Sequence, residues 1–310
     1  MTMMKAVRIH RFGGSEVMEI EEVPVPQPQE SEVLVRVRAA SVNPVDYKIR
    51  RGGYVGADKL PLTLGRDASG VVESIGARVE RVERGDAIYA MLGPDRGAFA
   101  GYAVVKTGEG APKPARLGHV EAAAVPLAGL TAWQGLFDHG GLKPGQRVLI
   151  HGGAGGVGHF AVQFAKAKGA TVLTTVSGED IGFVRDLGAD QAIDYKTQRF
   201  EEIARDIDLV FDLVAGETQE RSWSVLKPGG ILVSTLGQPS SQKAAQHKVR
   251  AIGYRAQPNA AELAEIGRLI DDGKVRIVIA ATFPLARVRE AEELLERGRV
   301  RGKIVVTLVA

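Results

Sequence analysis

The chain is 310 residues long, 45% hydrophobic and 25% charged, with 40 Lys and Arg against 37 Asp and Glu. That length accommodates two domains of ordinary size, and so small a positive surplus makes no electrostatic case for nucleic acid. Cysteine is absent, which removes disulfides, a thiol nucleophile and every thiolate zinc site, and no apolar run nears the roughly 20 residues that span a bilayer.

The N-terminus, MTMMKAVRIH, lacks the apolar core of a signal peptide, so a cytoplasmic protein without a membrane segment is expected. KAVRIH and SEVLVRVRAA alternate apolar with polar positions, the period of half-buried strands. Between them the proline-spaced VPVPQPQE cannot pair as a central strand. SGVVESIG and GDAIYAML continue a β-rich unit up to about residue 124. From AAAVPLAGLTAWQGLF onward the rhythm changes. RVLIHG, ATVLTTVS, DLVFDLVAG and ILVSTLG read as strands, alternating with helical stretches such as GHFAVQFAKAKG and EDIGFVRDLG. Such alternation implies a parallel sheet with helical crossovers, a Rossmann-type α/β domain over 125–254. Past Tyr254, Asn259 with Glu262 three residues on marks a helix start. Leu263, Ile266, Leu269 and Ile270 line one face of that helix, and Gly273 ends it. VRIVIA reads as a strand, 285–297 as a helix with Val288, Ala291, Leu294 and Leu295 on one face, and GKIVVTLVA as a closing strand.

Gly152, Gly153, Gly155, Gly156 and Gly158 place five glycines within seven residues, between the strand RVLI and the helix that follows. Glycine weakens both element types, so a cluster of this kind points to a ligand. Gly153, Gly155 and Gly158 fit G-x-G-x-x-G, while Gly152, Gly155 and Gly158 also sit three apart. In a βαβ context the loop Gly153-Ala154-Gly155-Gly156-Val157-Gly158 lets a dinucleotide pyrophosphate approach bare backbone and meet the positive end of the helix. The second strand ends at Ser177, where an NAD-binding fold usually carries an acid. A small hydroxyl leaves room for a 2′-phosphate and points to NADPH. Tyr195 and Lys196 would supply a flat contact for adenine and a cation. Glu179 and Asp180 would repel that phosphate, which keeps NADH as the alternative.

NPVDYKIRRG, LGRDASGVVESIG, GLTAWQGL, HGGAGGVGHFAVQFAKAKGA, LGADQAIDY, LKPGG and RGKIVV follow one another along the chain. In these motifs and their order the chain resembles, from end to end, the zinc-free quinone oxidoreductase branch of the medium-chain dehydrogenases/reductases, the branch that includes zeta-crystallin. The resemblance implies a GroES-like, β-rich catalytic domain built from 1–124 and 255–310, with a Rossmann NADPH-binding domain, 125–254, inserted. Zinc-dependent members hold their metal with two cysteines and the histidine of a G-H-E motif. Here Gly65-Arg66-Asp67 resembles that motif and Asn43 lies near a cysteine position, so no metal is expected and alcohol oxidation lacks its Lewis acid.

The same resemblance places the Asn43-Pro44 loop beside the nicotinamide. It makes Asn43 and Tyr47 donors to an acceptor oxygen, and Arg66 a cation that offsets developing charge. The structural alternatives are a turn role for Asn43, a packed ring for Tyr47 and an ion pair of Arg66 with Asp67 or Asp46. Lys48 stands where relatives often carry an aromatic residue. Thr131 resembles the position that meets the nicotinamide ribose. Val214 closes the fourth strand, and Leu236 with Gly237 closes the fifth, so both ends face the coenzyme crevice. Ala215 departs from the family's usual second glycine. Asp46 reads as a structural acceptor, Lys303 as a stabiliser of the tail, and the six histidines as surface or strand-end residues without ligand spacing.

The activity so implied is NADPH-dependent hydride transfer to quinones or α,β-unsaturated carbonyls, where resonance spreads the charge and few donors suffice. Two alternatives stand beside it. One is an enoyl-thioester reductase. The other is a non-catalytic NADPH- or RNA-binding protein, suggested by Arg297, Arg299, Arg301 and Lys303. Aromatic residues make up only 5% and do not interleave with those cations, so nucleic acid is not expected as a partner. A homodimer is implied, joined at the edge of the Rossmann sheet through GGILVSTLG and the segment after it.

Overall fold

The computed structural model describes residues 2–308. The backbone forms two compact units, one running to Ala128 and resuming at Pro258, the other Gly129–Gln257. Both divisions fall a little past 124/125 and 254/255, where the sequence suggests them. The helix Pro126–Trp133 runs through the first division without a break. At the second, the Tyr254 hydroxyl donates to the Thr131 carbonyl, and the Gln134 side chain bonds the Gln257 backbone in both directions, at 2.8 and 2.9 Å. Those bonds keep 255–257 with the second unit.

In the first unit Met3–Ile9 pairs antiparallel with Glu19–Pro24, an outer strand on which a proline removes no interior ladder bond. A seven-stranded sheet is organised on Glu32–Val42, which pairs antiparallel with Asp67–Ile75, Tyr102–Lys106 and the C-terminal strand Lys303–Thr307. Val33, Val35 and Val37 alternate into a core shared with Val72, Ile304 and Val306. A one-residue slip would turn that whole set to solvent, and burying each side chain stabilises by about 1.5–3 kcal/mol. Asn259 Oδ1 accepts from the N–H groups of Ala261 and Glu262 at 3.0 and 3.1 Å, opening the helix Ala260–Asp271 as its sequence suggests. The strand expected at VRIVIA lies later: pairing with Lys303–Thr307 begins at Ile279 and ends at Pro284. Local alternation gave no register, and the partner strand decides it.

The second unit is a six-stranded parallel sheet. In spatial order it runs Gln191–Asp194, Thr171–Val176, Arg147–His151, Ile207–Asp212, Leu226–Ser234, Arg250–Gly253. Helices such as Gly158–Ala167 and Gly216–Ser222 connect the strands. Arg147–His151 and Ile207–Asp212 are neighbours in space but not in sequence, so the strand order reverses between them. In doubly wound sheets that reversal opens the ligand crevice at the strands' carboxyl ends. Leu226–Ser234, read from the sequence as part of a sheet edge, is interior; the edge on that side is Arg250–Gly253.

Candidate active-site residues

Arg147–His151 feeds the glycine loop, with Val148, Leu149 and Ile150 fully buried behind it. The glycines of the loop serve different ends. Gly152 takes φ +80°, where a side chain would be strained, and its N–H donates to the Thr175 carbonyl at 3.1 Å. A Cβ on Gly153 would lie 2.1 Å from Thr174 Oγ1, and one on Gly158 2.1 Å from the Gly152 carbonyl, so packing alone demands both. At Gly155 a Cβ would meet only the Gly152 carbonyl, at 3.5 Å, an ordinary contact. The fold does not need Gly155 bare; a closely approaching ligand would. The N–H groups of Ala154, Gly156 and Val157 have no partner among the described residues and stand at the positive end of the helix. Together these features suit a pyrophosphate.

On one side of this loop the strand Thr171–Val176 ends at Ser177, whose hydroxyl donates to Asp180 Oδ2 at 2.8 Å. Lys196 Nζ is 3.8 Å from Glu179 Oε1. The Tyr195 N–H donates to the Val176 carbonyl at 3.1 Å, and its side chain is 59% exposed. Ser177, Tyr195 and Lys196 therefore meet at one strand end. They do so among acids. Asp180 takes up the Ser177 hydroxyl, and a Cβ on Gly178 would come within 2.9 Å of Asp194 Oδ2. Of the three acids, Glu179 is the one that faces the Lys196 ammonium, while Asp194 Oδ1 accepts the Lys196 backbone N–H at 3.0 Å.

On the other side Val214 and Leu236 are 49% and 45% exposed, unusual for large aliphatic side chains that no neighbour covers. Gly237 has φ +123°. Thr131 is buried, and its carbonyl receives the Tyr254 hydroxyl. Sequence reasoning missed two buried polar residues here, Asp212 and His151. The Ser222 hydroxyl donates to the Thr218 carbonyl at 2.7 Å, so it accepts from His151 Nε2 at 2.9 Å. Nδ1 is left to accept from the Thr175 hydroxyl at 3.0 Å. Burial drives the His151 pKa from 6.5 to about 4, with the Asp212 charge opposing. His159 is buried too, and its Nδ1 donates to the Gly155 carbonyl at 3.0 Å. His151 closes its strand, one of the two roles expected of the histidines, but neither it nor His159 lies at the surface. The signal available in the sequence was a histidine closing an otherwise apolar parallel strand.

In the first unit Asn43 is 1% exposed. Its Nδ2 donates to Asp67 Oδ2 at 2.8 Å and to the Ser41 carbonyl at 3.3 Å, and its Oδ1 accepts from Lys303 Nζ. Both amide hydrogens are committed, so Asn43 is a strut and not the free donor expected from the sequence. Asp67 also accepts from the Ser41 hydroxyl at 2.6 Å and the Leu127 N–H at 2.7 Å. Lys303, 3% exposed, lies 4.0 Å from Asp67 Oδ2 and is lost to the basic face imagined for the tail. Burial lowers the Lys303 pKa and raises that of Asp67, each opposed by the charge of the other.

Arg66 is buried and its Nε donates to the Leu92 carbonyl; it forms no ion pair with Asp46 or Asp67. Burial lowers its pKa while those two charges act against the shift. Asp46 Oδ2 accepts the Asn43 N–H at 2.7 Å, the structural part expected of it. Pro44 opens the helix Pro44–Arg50. On that helix Tyr47 is half-buried, with the Arg51 guanidinium 5.6 Å from its ring centroid. Burial, then the Glu296 charge, raises the Tyr47 pKa, so the phenol keeps its proton and can donate it in a hydrogen bond.

Among the described residues, His10, Glu19 and Glu21 bring potential metal-ligand atoms within 4.8 Å of one another. They are largely exposed, and Arg8 stands 3.5 Å from Glu21 Oε2, so the group reads as an ion-pair cluster. No helix among the described residues is long and apolar enough to cross a membrane.

Residues 29–115 match the alcohol dehydrogenase GroES-like domain, and 187–306 match the zinc-binding dehydrogenase family. The chain is 35% identical to the mitochondrial NAD(P)H oxidoreductase RTN4IP1 of Homo sapiens, over 99% of this chain and 90% of that protein. It is 36% identical to the chloroplastic NADPH-dependent alkenal/one oxidoreductase of Arabidopsis thaliana, over 98% of this chain and 79% of that one. The solved structure of the quinone oxidoreductase from Coxiella burnetii superposes with a TM-score of 0.91 at 39% identity, covering 99% of this chain and 100% of the other.

Proposed function

Because the chain belongs to the medium-chain dehydrogenase/reductase superfamily, we propose that it is an NADPH-dependent, zinc-independent oxidoreductase that reduces quinones or α,β-unsaturated carbonyls. The observation that carries this reading is the glycine loop, with Gly155 bare beyond the needs of packing and unpartnered N–H groups beside it. The names of the relatives from Arabidopsis thaliana and Coxiella burnetii support the acceptor class.

When bound, the coenzyme supplies hydride. In this reading the N–H groups of Ala154, Gly156 and Val157 hold its pyrophosphate, Gly153 and Gly158 keep the loop packed, and Ser177, Tyr195 and Lys196 take the adenosine end. Val214, Leu236 and Gly237 offer an apolar shelf to the nicotinamide end, and Thr131 meets its ribose. With the Asn43 amide committed to Asp67 and Ser41, the protonated phenol of Tyr47 is the donor left for an acceptor oxygen. Arg66 acts through its field alone. A conjugated acceptor suits so sparse a set of donors, since its developing charge is delocalised.

The donor set does not suit a divalent metal. The chain has no cysteine, and the Lys303 ammonium already lies against Asn43 Oδ1 and 4.0 Å from Asp67. A second cation there would meet repulsion without thiolate or imidazole ligands to offset it. NADPH over NADH rests on the small Ser177 and on Lys196, against the opposing charges of Glu179 and Asp180. A cytoplasmic location and a homodimer joined through the edge strand Arg250–Gly253 complete the proposal, to be tested by fractionation and light scattering.

The test mixes the protein with NADPH or NADH, in parallel, and either 9,10-phenanthrenequinone or an alkenal, following loss of the nicotinamide absorbance. Acceptor-dependent oxidation, faster with NADPH and indifferent to chelators, is expected. Coenzyme binding without acceptor-dependent loss would overturn the proposal.

A further inference from the structure

Asp212 closes the strand Ile207–Asp212 and is fully buried, and four donors converge on its carboxylate. Oδ1 accepts the N–H groups of Val214 at 3.0 Å and Ala215 at 2.8 Å. Oδ2 accepts Gln219 Nε2 at 2.7 Å and the Ser234 hydroxyl at 2.9 Å. Ser234 Oγ accepts in turn the N–H of Leu236 at 3.1 Å. One carboxylate thus fixes the first turn after each of two adjacent parallel strands, and the tips of those turns are the exposed side chains of Val214 and Leu236.

The first of these turns would not hold its shape unaided. Ala215 sits at φ +64°, ψ −162°, a conformation that glycine adopts freely and alanine does not. A charge-assisted bond to its own N–H keeps it there. The turn also reaches the glycine loop, since a Cβ on Gly152 would come within 3.4 Å of Val214 Cγ2.

The strand order reverses between Arg147–His151 and Ile207–Asp212. A dinucleotide bound at such a reversal lays its pyrophosphate on the first loop and its two nucleoside ends to either side. With adenosine on the Ser177 side, the other end lies over the turns that Asp212 holds. We propose that Asp212 is a positioning residue for the nicotinamide end of the coenzyme. Through Val214, Ala215 and Ser234 it sets the spacing of the apolar shelf formed by Val214 and Leu236, and it retains the strained Ala215 turn in the form that shelf requires. This rests on the coenzyme reading above.

The experiment is calorimetric titration of the wild-type protein, Asp212→Ala and Ser234→Ala with NADPH and with 2′-phospho-ADP-ribose, which lacks the nicotinamide. NADH and ADP-ribose replace them should NADH be the form bound. Asp212→Ala is expected to weaken NADPH binding about tenfold and Ser234→Ala about threefold, each leaving the fragment within about twofold of wild type. Asp212→Ala/Ala215→Gly should recover part of the lost affinity, because glycine takes the turn conformation unstrained; no recovery overturns the part given to Ala215. Equal weakening of both ligands indicates general damage to the unit and overturns the positioning role, as does unchanged NADPH affinity. If Asp212→Ala does not fold, Ser234→Ala decides by the same criteria. Wild-type protein that binds neither ligand sinks the coenzyme reading itself, an outcome distinct from the rest.

Discussion

Asn43 Nδ2 and Asp67 Oδ2 lie 2.8 Å apart in the buried centre of the first unit, and that bond decides what Asn43 is free to do. Asn43→Asp exchanges the donor for a second carboxylate facing the first, with Lys303 the cation in contact with them and Arg66 acting through its field. Two like charges at that distance cannot both stay ionised in a buried site. We expect the variant to lose about 2–4 kcal/mol of stability near pH 8, and less near pH 5, where a shared proton relieves the repulsion. Urea unfolding at the two pH values measures this. Wild-type stability near pH 8 would place Asn43 outside the network.

Gly155 and Gly158 should separate binding from folding. A Cβ at Gly158 would strike the Gly152 carbonyl at 2.1 Å, so the backbone must move. Gly158→Ala is expected to cost about 1–3 kcal/mol in thermal or chemical unfolding. At Gly155 the nearest atom is 3.5 Å away, so Gly155→Ala should unfold like wild type. It should nevertheless bind NADPH about tenfold more weakly, because the methyl occupies the space the pyrophosphate needs. Unaltered affinity in Gly155→Ala would mean the open side of this loop faces no ligand.

His151 gives the stability a pH dependence of known sign. Its folded pKa is about 4 against an ordinary 6.5, so the unfolded chain binds the extra proton first as the pH falls. The associated stability is present above pH 6.5 and is lost as the pH falls toward 4, by about 3 kcal/mol in all. Burial raises Asp46, Asp67 and Glu292, which act in the opposite sense over acidic pH. Comparison with His151→Gln isolates the histidine: the slope of unfolding free energy between those limits should flatten by its share. Parallel slopes for the two proteins would contradict the neutral, buried imidazole.

Coenzyme choice should follow the charges around Ser177. Removing an exposed carboxylate in Glu179→Gln is expected to raise the ratio of NADPH to NADH affinity about threefold to fivefold, and Lys196→Gln to lower it by a similar factor. Parallel titrations with the two coenzymes provide the ratios. No movement in either variant would mean that the 2′ position lies away from this strand end.

What the sequence disclosed follows periodicity and local context. The parallel strands, the glycine loop and the Asn259 helix start each depend on residues within one or two turns of each other. The partners of Asn43 do not. Asp67 is 24 positions away and Lys303 is 260, and strand pairing brings them together. The same holds for the strand Ile279–Pro284, whose start is set by Lys303–Thr307 and not by its own alternation. Beside Ser177 the acids were legible as neighbours in the chain, but the bond from Ser177 to Asp180 depends on the turn they make together. Nothing local in DLVFDLVAG distinguishes Asp212; its weight comes from two turns that meet only across the sheet.

Hydride passing from a pyridine nucleotide on the glycine loop to a conjugated acceptor is tested most directly by isotope transfer. NADPH deuterated on one or the other face of nicotinamide C4 is incubated with the protein and an α,β-unsaturated ketone, and the product is analysed by mass spectrometry and NMR. We predict that one of the two labelled coenzymes delivers its deuterium to the β-carbon of the saturated ketone, with the α-proton drawn from solvent. A saturated product free of deuterium from both, or bound coenzyme with no product at all, would contradict that claim.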